Sequence, residues 1–416
     1  MRQHPSSALI LATTLLVPAS LMFSAQALAA FSQDLRMEPQ PFRQAQVLEG
    51  REFDYNAESF LHRSSFAPGT PVTPDVIPKD RLTGTGGSTR SKELFFDVAI
   101  QTSYEFSETL DFQYRFRRTE DYDGRYDRNL VGVGFAGEGG AHFRLMADVE
   151  GDKSRTDLQP ELTWEHPDGH QLKAALVLSD ALFNSKQSEN EFRRNPRTWF
   201  LAGRWQATPN HSFRGYLNVT PETELQINAD NTLFRDRNGR VGAGWDWDMD
   251  DGRHWQWIAE AEGTDRSERF LGDSEDDEMT RRFWRSRAEY RAPVLGMNYR
   301  VGGQAMFLRE KGEFIGANRE LTDRKEWMGF SGIDLRLNPR WSFTPTVYGS
   351  VIEGESVNFD DEPGEEENLN GFYAKLTLPF NWRPEGATGA SITLNPTFRL
   401  HRAAFGGGNL QMHIPL

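Results

Sequence analysis

The chain has 416 residues, contains no cysteine, and carries a formal net charge of −14 at pH 7. Without cysteine it has neither disulfides nor thiolate metal sites, and its acidic balance argues against binding to nucleic acid, whose phosphates would be repelled. Hydrophobic residues make up 37% and the mean hydropathy is −0.65. These values exclude a membrane protein built from helices, but not one built from strands in which only alternate residues are apolar.

The first 30 residues have the layout of a secretory signal peptide. Arg2 is followed by an apolar run from Ala8 to Phe23 and then by small residues from Ala25 to Ala30. The apolar run is too short to be a good membrane span and is followed directly by a cleavage site. We therefore expect residues 1–29 to be a signal peptide, residues 30–50 a periplasmic tail, and residues 51–416 one large domain.

From Arg51 onward the sequence contains eighteen segments in which apolar and polar residues alternate, which is the period of a β-strand. In one of them Phe112, Tyr114 and Phe116 alternate with polar residues that include Gln113. The first segment is 52–61, and the second begins near residue 94. Sixteen strands remain if the first and the last segments do not cross the membrane.

The connections between these segments are short and long in regular succession. Each short connection is rich in the Gly, Pro, Asn and Asp that tight turns require. Short connections are predicted at 107–108, 137–140, 166–170, 208–211, 250–253, 293–296, 338–340 and 384–389, and long ones at 63–92, 119–128, 151–156, 183–196, 221–239, 264–280, 310–324 and 354–369. Outer-membrane barrels have short periplasmic turns and longer extracellular loops, whereas a soluble sandwich has no reason to sort its loops by length.

The hairpin 282–309 shows the two faces of such a strand pair. Trp284, Ala288 and Tyr290 share one face of its first arm, and arginines that include Arg285 and Arg287 share the other. In a soluble sandwich the apolar face would pack on a second sheet. In a membrane barrel it would face lipid, and the charged face would line the lumen. The sorted connections favour the barrel.

Aromatic residues on the apolar faces lie next to the short turns. Positions beside successive short turns have the same height on a barrel, so these rings are expected to form a girdle at the periplasmic interface. The rings are Tyr104, Phe112, Trp164, Trp205, Phe213, Trp247, Trp255, Tyr290, Tyr299, Trp341 and Trp382.

The chain ends with apolar residues at every second position from Leu410 to Leu416. This ending resembles the closing strand of Gram-negative outer-membrane β-barrel proteins, although Leu416 replaces the usual aromatic residue and Pro415 removes one hydrogen-bond donor. The resemblance implies an all-β fold, a transmembrane antiparallel up-and-down β-barrel of 18 strands in the outer membrane of a Gram-negative bacterium, with both termini in the periplasm. Its implied partners are outer-membrane lipid, lipopolysaccharide and the barrel-insertion machinery, which reads the last strand.

The polar faces of the strands supply the candidate functional residues, because they would line the lumen of such a barrel. Basic residues form a ladder on one hairpin and continue more loosely elsewhere: Arg285, Arg287, Arg291 and Arg300, then Arg115, Arg117, Arg336 and Lys375. The acidic residues expected to face or flank this ladder are Asp246, Asp248, Glu260 and Glu262. Separated signs on opposing walls would orient polar solutes. Alternatively, the charges pair across neighbouring strands.

These features predict a porin-like channel for hydrophilic solutes, with saccharides or anions as the expected cargo. A first alternative is a secretion conduit for an anionic exopolysaccharide, since an arginine-lined lumen would neutralise such a chain; the similarity to alginate-export barrels extends only to strand number and this basic lining. A second alternative is an outer-membrane enzyme acting on lipid or lipopolysaccharide. The sequence has no serine in a nucleophile motif and no histidine pair at metal-ligand spacing, so we expect no catalytic residues, metal or cofactor.

Overall fold

The protein is described here by a computed structural model that covers residues 76–77, 80–90, 93–121, 124–149, 157–179, 181, 191–194, 197–227, 232–270, 277–313, 319–357, 366–368, 370–384 and 389–416. These residues form one antiparallel sheet of 22 strand segments. Short 3-10 turns occur at Glu138–Gly140 and Leu400–Arg402. In these ranges no helix has the length and apolar character needed to cross a membrane.

The strand segments follow one another along the chain with few other elements between them. The first eleven are β1 (Arg81–Arg90), β2 (Glu93–Glu105), β3 (Leu110–Asp121), β4 (Gly124–Ala136), β5 (Ala141–Asp148), β6 (Leu158–Glu165), β7 (Gln171–Leu178), β8 (Glu191–Arg194), β9 (Arg197–Thr208), β10 (His211–Ile227) and β11 (Thr232–Asp248). The others are β12 (His254–Phe270), β13 (Asp277–Val294), β14 (Met297–Glu313), β15 (Arg319–Arg336), β16 (Trp341–Phe343), β17 (Thr346–Val357), β18 (Glu366–Asn368), β19 (Gly371–Thr377), β20 (Phe380–Trp382), β21 (Ser391–Arg399) and β22 (Ala404–Pro415).

Several neighbouring segments are pieces of one interrupted strand, because they pair with the same partners. β8 and β9 both pair with β10, β16 and β17 both pair with β15, and β18, β19 and β20 pair with β17 or β16. Pro345 and Pro379 lie at two of these breaks, where the missing backbone N–H removes a ladder hydrogen bond. The sheet therefore has eighteen strands, and β1 closes it into a barrel by pairing with β22.

The predicted number of eighteen strands is confirmed, but the first strand differs from the prediction. The predicted first segment, 52–61, lies outside the described residues. The described barrel starts at β1, which lies inside the predicted loop 63–92, so the prediction of a loop there is wrong. β1 is rich in glycine and has few large apolar residues of its own: Val98 and Met412, on its two neighbours, reach within 3.6 Å of where a Cβ of Gly84 would lie. Apolar side chains of the adjacent strands thus cover β1, and for this reason its own sequence lacks the alternation of apolar and polar residues that is typical of a strand.

The long connections are shorter than predicted, because strands continue into them. β10 and β11 remain paired as far as Ile227 and Thr232, inside the predicted loop 221–239, and Asp121 pairs with Gly124 inside 119–128. β10 to β15 have 17 or 18 residues. At about 3.3 Å per residue and a tilt of about 40°, such strands rise roughly 43–46 Å, beyond an apolar band of about 25 Å. Above the apolar band the strands carry polar residues on both faces, and their backbones nevertheless remain paired.

The two faces of the strands differ in exposure as the alternation predicted. On β14, Arg300 is 2% exposed and the adjacent Val301 is 52% exposed. On β13, Arg285 is 4% exposed and Trp284 is 38% exposed. The polar side chains are therefore enclosed on the inner face, and the apolar side chains cover the outer face.

The aromatic rings next to the short turns lie on adjacent strands and contact one another. The rings of Trp205 and Phe213 are 5.8 Å apart, those of Phe213 and Trp245 6.3 Å, and those of Trp245 and Trp247 6.1 Å. This row of stacked rings crosses three neighbouring strands at one height, as expected for part of a girdle.

Candidate lumen site

Three arginines on the inner face share one carboxylate. Arg287 and Arg291 on β13 lie 2.5 Å and 2.7 Å from oxygens of Glu289, and Arg300 on β14 lies 3.5 Å away. In the described part of the chain, Glu289 is the only carboxylate paired with any of these three. We call these four residues the Glu289 cluster. Its three guanidiniums and one carboxylate give it a net charge of +2.

Strand register explains why this carboxylate lies at the centre of the cluster. Arg291 and Arg300 are directly opposite each other across β13 and β14, an arrangement of like charges that is destabilising by itself. Glu289 follows Arg287 and precedes Arg291 at two-residue spacing, so all three side chains lie on one face of β13. Glu289 is 1% exposed, and the low dielectric of this position strengthens its attraction to each guanidinium.

A phenyl ring supports the cluster from the next strand. Phe330 on β15 lies opposite Gly302, and a Cβ at Gly302 would come within 2.4 Å of the ring. Glycine at 302 therefore lets the ring lie close against β14. The guanidinium carbons of Arg287 and Arg300 are 4.9 Å and 5.6 Å from the ring centroid, within the range of a cation–π interaction. The ring thus helps to fix both arginines.

The fourth arginine of the predicted ladder has a different partner. Arg285 is opposite Glu260 on β12 and forms a hydrogen-bonded ion pair with it. Glu260 also accepts a hydrogen bond of 2.8 Å from the Tyr216 hydroxyl. Since both members of the pair are buried, Arg285 and Glu260 form a neutral unit beside the Glu289 cluster.

The other predicted acidic residues also lie next to basic residues or at the rim. Glu262 is paired with Arg240, and buried Asp246 lies 3.4 Å from Arg214. Asp248, with a side chain 72% exposed, contacts His254 at 2.7 Å near a short turn. Opposite signs therefore lie on neighbouring strands, and the expected separation on opposing walls is wrong for Glu260, Glu262 and Asp246.

A second buried charge network lies on the inner face of β3 to β7. Arg115 donates two hydrogen bonds, of 2.6 Å and 2.7 Å, to the carboxylate of Glu161. The Lys173 ammonium lies 3.7 Å from the same carboxylate, and Gln159 donates to it at 2.5 Å. Arg117, two residues beyond Arg115 on β3, is half-buried.

The last two predicted residues, Arg336 and Lys375, lie on β15 and β19. Arg336, at the end of β15, is exposed and lines a cavity of about 210 Å³ with Asn298, Asp334, Thr344 and Asn381. Lys375 on β19 is 1% exposed and lies opposite Tyr348 and Arg399 on the neighbouring strands. Neither residue is brought into the Glu289 cluster.

The predicted site did not include the residues that organise these clusters. Glu289 has the same two-residue spacing as the arginines on either side, so strict alternation places it among them. Glu161 and Lys173 lie five and three residues from the predicted short turn 166–170, and their alternation was equally visible in the sequence. The contact between Glu161 and Arg115 was not visible, because it connects strands that are three positions apart in the sheet.

No protein-family model matches the chain, and a search of curated proteins also finds no match. Among solved structures, Pseudomonas aeruginosa OprD is similar, with 13% identity, a TM-score of 0.43, and coverage of 81% of this chain and 94% of that one. P. aeruginosa OccK2 (OpdF) is similar with 10% identity, a TM-score of 0.42, and coverage of 81% and 96%. The architecture itself rests on the strand pairing of this chain, which forms a closed antiparallel β-barrel of eighteen strands.

Proposed function

We propose that this chain is an outer-membrane channel that passes hydrophilic solutes and favours anions. The outer face supports a membrane location, because it exposes large apolar side chains such as Trp199, Val301 and Phe372 at 52%, 52% and 64%. Contiguous exposed apolar surface of this extent is costly in water and is expected where a barrel meets lipid. The predicted signal peptide is consistent with export to that membrane.

The preference for anions rests on one observation, the excess of guanidinium in the Glu289 cluster. Elsewhere on this wall the two charges of an ion pair, such as Arg285 with Glu260, neutralise each other, whereas the Glu289 cluster keeps a net charge of +2. Fixed positive charge on a lumen wall raises the local concentration of anions. Guanidinium also offers paired donors that match carboxylate and phosphate oxygens. Small anions with such groups are therefore the proposed cargo.

The alternatives predicted from the sequence receive no additional support from the described residues. The comparisons do not show the similarity to exopolysaccharide-export barrels that the basic lining suggested. An enzyme acting on lipid or lipopolysaccharide would need a recognisable set of catalytic groups on the outer face or rim.

Conductance in a planar lipid bilayer tests the proposal. We expect the purified protein to produce discrete conductance steps, and reversal potentials under a salt gradient to indicate preference for chloride over potassium. A protein that fractionates as freely soluble, or that inserts and gives no conductance, would contradict the channel. Cation preference would contradict the role of the cluster while leaving the channel intact.

The proposed orientation gives a second prediction, on epitope accessibility. A tag inserted after Asp361, between β17 and β18, should bind antibody on intact cells, because the longer hairpins are expected outside. A tag after Asp251 should bind only after the outer membrane is permeabilised. Asp251 lies in a short turn, where a hydrogen bond from Arg253 lowers the pKa of its carboxyl. The opposite pattern of accessibility would show that the orientation is inverted.

A further inference from the structure

One patch of the inner wall is apolar, although charged and polar side chains surround it. The patch lies on four strands, β7, β9, β10 and β12, and its members are 1–7% exposed: Ala175, Phe200, Ala202, Tyr216 and Ile258. We call these five residues the inner apolar patch. At its edge the Lys173 ammonium lies 5.9 Å from the Phe200 ring, and the Tyr216 hydroxyl donates to Glu260. An uncovered apolar patch in a water-filled lumen would be unfavourable.

The patch is covered by a residue from a distant part of the barrel. Val76 is 1% exposed and belongs to the same apolar cluster. It precedes β1, whose partners are β2 and β22, whereas the patch starts six strands further around the sheet, at β7. Val76 therefore reaches the patch through the interior of the barrel and not along its wall.

The chain that carries Val76 is fixed at the foot of β1. One carboxylate oxygen of Asp80 accepts hydrogen bonds of 2.8 Å and 2.6 Å from the Ser103 backbone N–H and hydroxyl. The backbone N–H of Leu416 donates to the Asp80 carbonyl at 3.2 Å. Four residues of chain span at most about 14 Å. Val76, four residues before Asp80, is therefore docked on the patch while the chain at Asp80 is held at the rim.

We propose that Val76, docked on the inner apolar patch, narrows the lumen, and that solute passage requires Val76 to leave this patch. The inference rests on the proposed channel function. Departure of Val76 would return the patch and the valine side chain to water, so the docked arrangement is the favoured one at rest. The patch lies five to nine residues from the nearest short turns, well inside the barrel, so Val76 docked there lies in the path of a solute.

The contact itself is tested by thiol labelling, which does not require conduction. The chain has no cysteine, so Val76→Cys introduces a single thiol, and Leu295→Cys, at a position 91% exposed, is the matched control. In the folded barrel we expect a polar maleimide to label Val76→Cys more than about tenfold more slowly than Leu295→Cys, as local opening limits access. Adding Ala202→Asp should remove most of this protection. Equal labelling rates would overturn the contact.

The narrowing is tested by single-channel conductance. Val76→Ser should increase the conductance, because a polar side chain weakens docking on the patch, whereas Val301→Ser on the outer face should not. If the unmodified protein conducts and Val76→Ser leaves the conductance unchanged, docked Val76 does not limit passage. If no variant conducts, the channel and the narrowing both fail, and labelling still decides whether Val76 docks.

Variants are compared only when they keep the gel mobility shift of a folded barrel, and Phe200→Ser replaces Ala202→Asp if the latter does not fold.

Discussion

Replacement of Glu289 by glutamine is expected to lower the free energy of unfolding of the barrel by about 3 to 5 kcal/mol, the usual cost of removing one partner from a buried ion pair. Three guanidiniums depend on this one carboxylate. Glutamine keeps the size of the side chain and one acceptor oxygen but loses the charge. Arg291 and Arg300 would then face each other across β13 and β14 with no opposite charge between them. Reversible urea unfolding in lipid vesicles measures the change.

Glu355→Gln is the matched control for this experiment. Glu355 lies on β17 with an exposed side chain, and loss of an exposed charge usually changes stability by no more than about 0.5 kcal/mol. A loss below about 1 kcal/mol for Glu289→Gln would mean that water solvates the three guanidiniums well enough to replace the carboxylate. The cluster would then not be enclosed as described.

Combined replacement of Arg291 and Arg300 by glutamine should remove the preference for anions. The change takes two positive charges from the Glu289 cluster and leaves Arg287 paired with Glu289, a neutral unit. The lumen should then become unselective or favour cations, as measured by the reversal potential under a salt gradient. The difference between the variant and the unmodified protein should shrink toward molar salt, where the Debye length falls to about 3 Å.

The control for selectivity removes charge without changing the sum of charges. The double variant Arg285→Gln and Glu260→Gln removes a complete ion pair from the same inner wall. Because the net charge of the wall is unchanged, the reversal potential should stay the same. An unchanged potential in the Arg291 and Arg300 variant, measured on folded protein, would mean that the cluster does not set selectivity. A shift in the control of equal size would mean that local packing, and not net charge, controls it.

The sequence was sufficient to predict which face each strand turns inward. Alternation placed Arg300 and Gln304 on one side of β14 and Val301 and Phe307 on the other, and their exposures agree. This works because a strand has a period of two and lipid tolerates no charged side chain on the outer face. Turn residues at 137–140 and 166–170 fixed the strand boundaries at the short-turn end for a similar reason, since tight turns accept few residue types.

The sequence was insufficient where a feature depends on contacts between distant segments. β1 has glycine at position 84, which Met412 and Val98 cover, so its own residues do not show an apolar pattern. The extension of β10 and β11 above the apolar band was missed because polar residues on both faces resemble a loop. Which acid each arginine contacts depends on register and sheet curvature, which is why Glu161 was not connected with Arg115.

The closing pair of strands, β1 and β22, is joined over fewer positions than the pair β13 and β14. β1 and β22 are joined from Arg81 opposite Pro415 to Ser88 opposite Gly408, eight positions, whereas β13 and β14 pair from Glu278 opposite Glu313 to Val294 opposite Met297. Gly84, Gly86 and Gly87 on β1 add no side-chain contacts and increase the entropy gained on release. Under a pulling force, or during deuterium exchange, β1 and β22 should therefore separate before β13 and β14 part, and this separation would open the ring into a sheet.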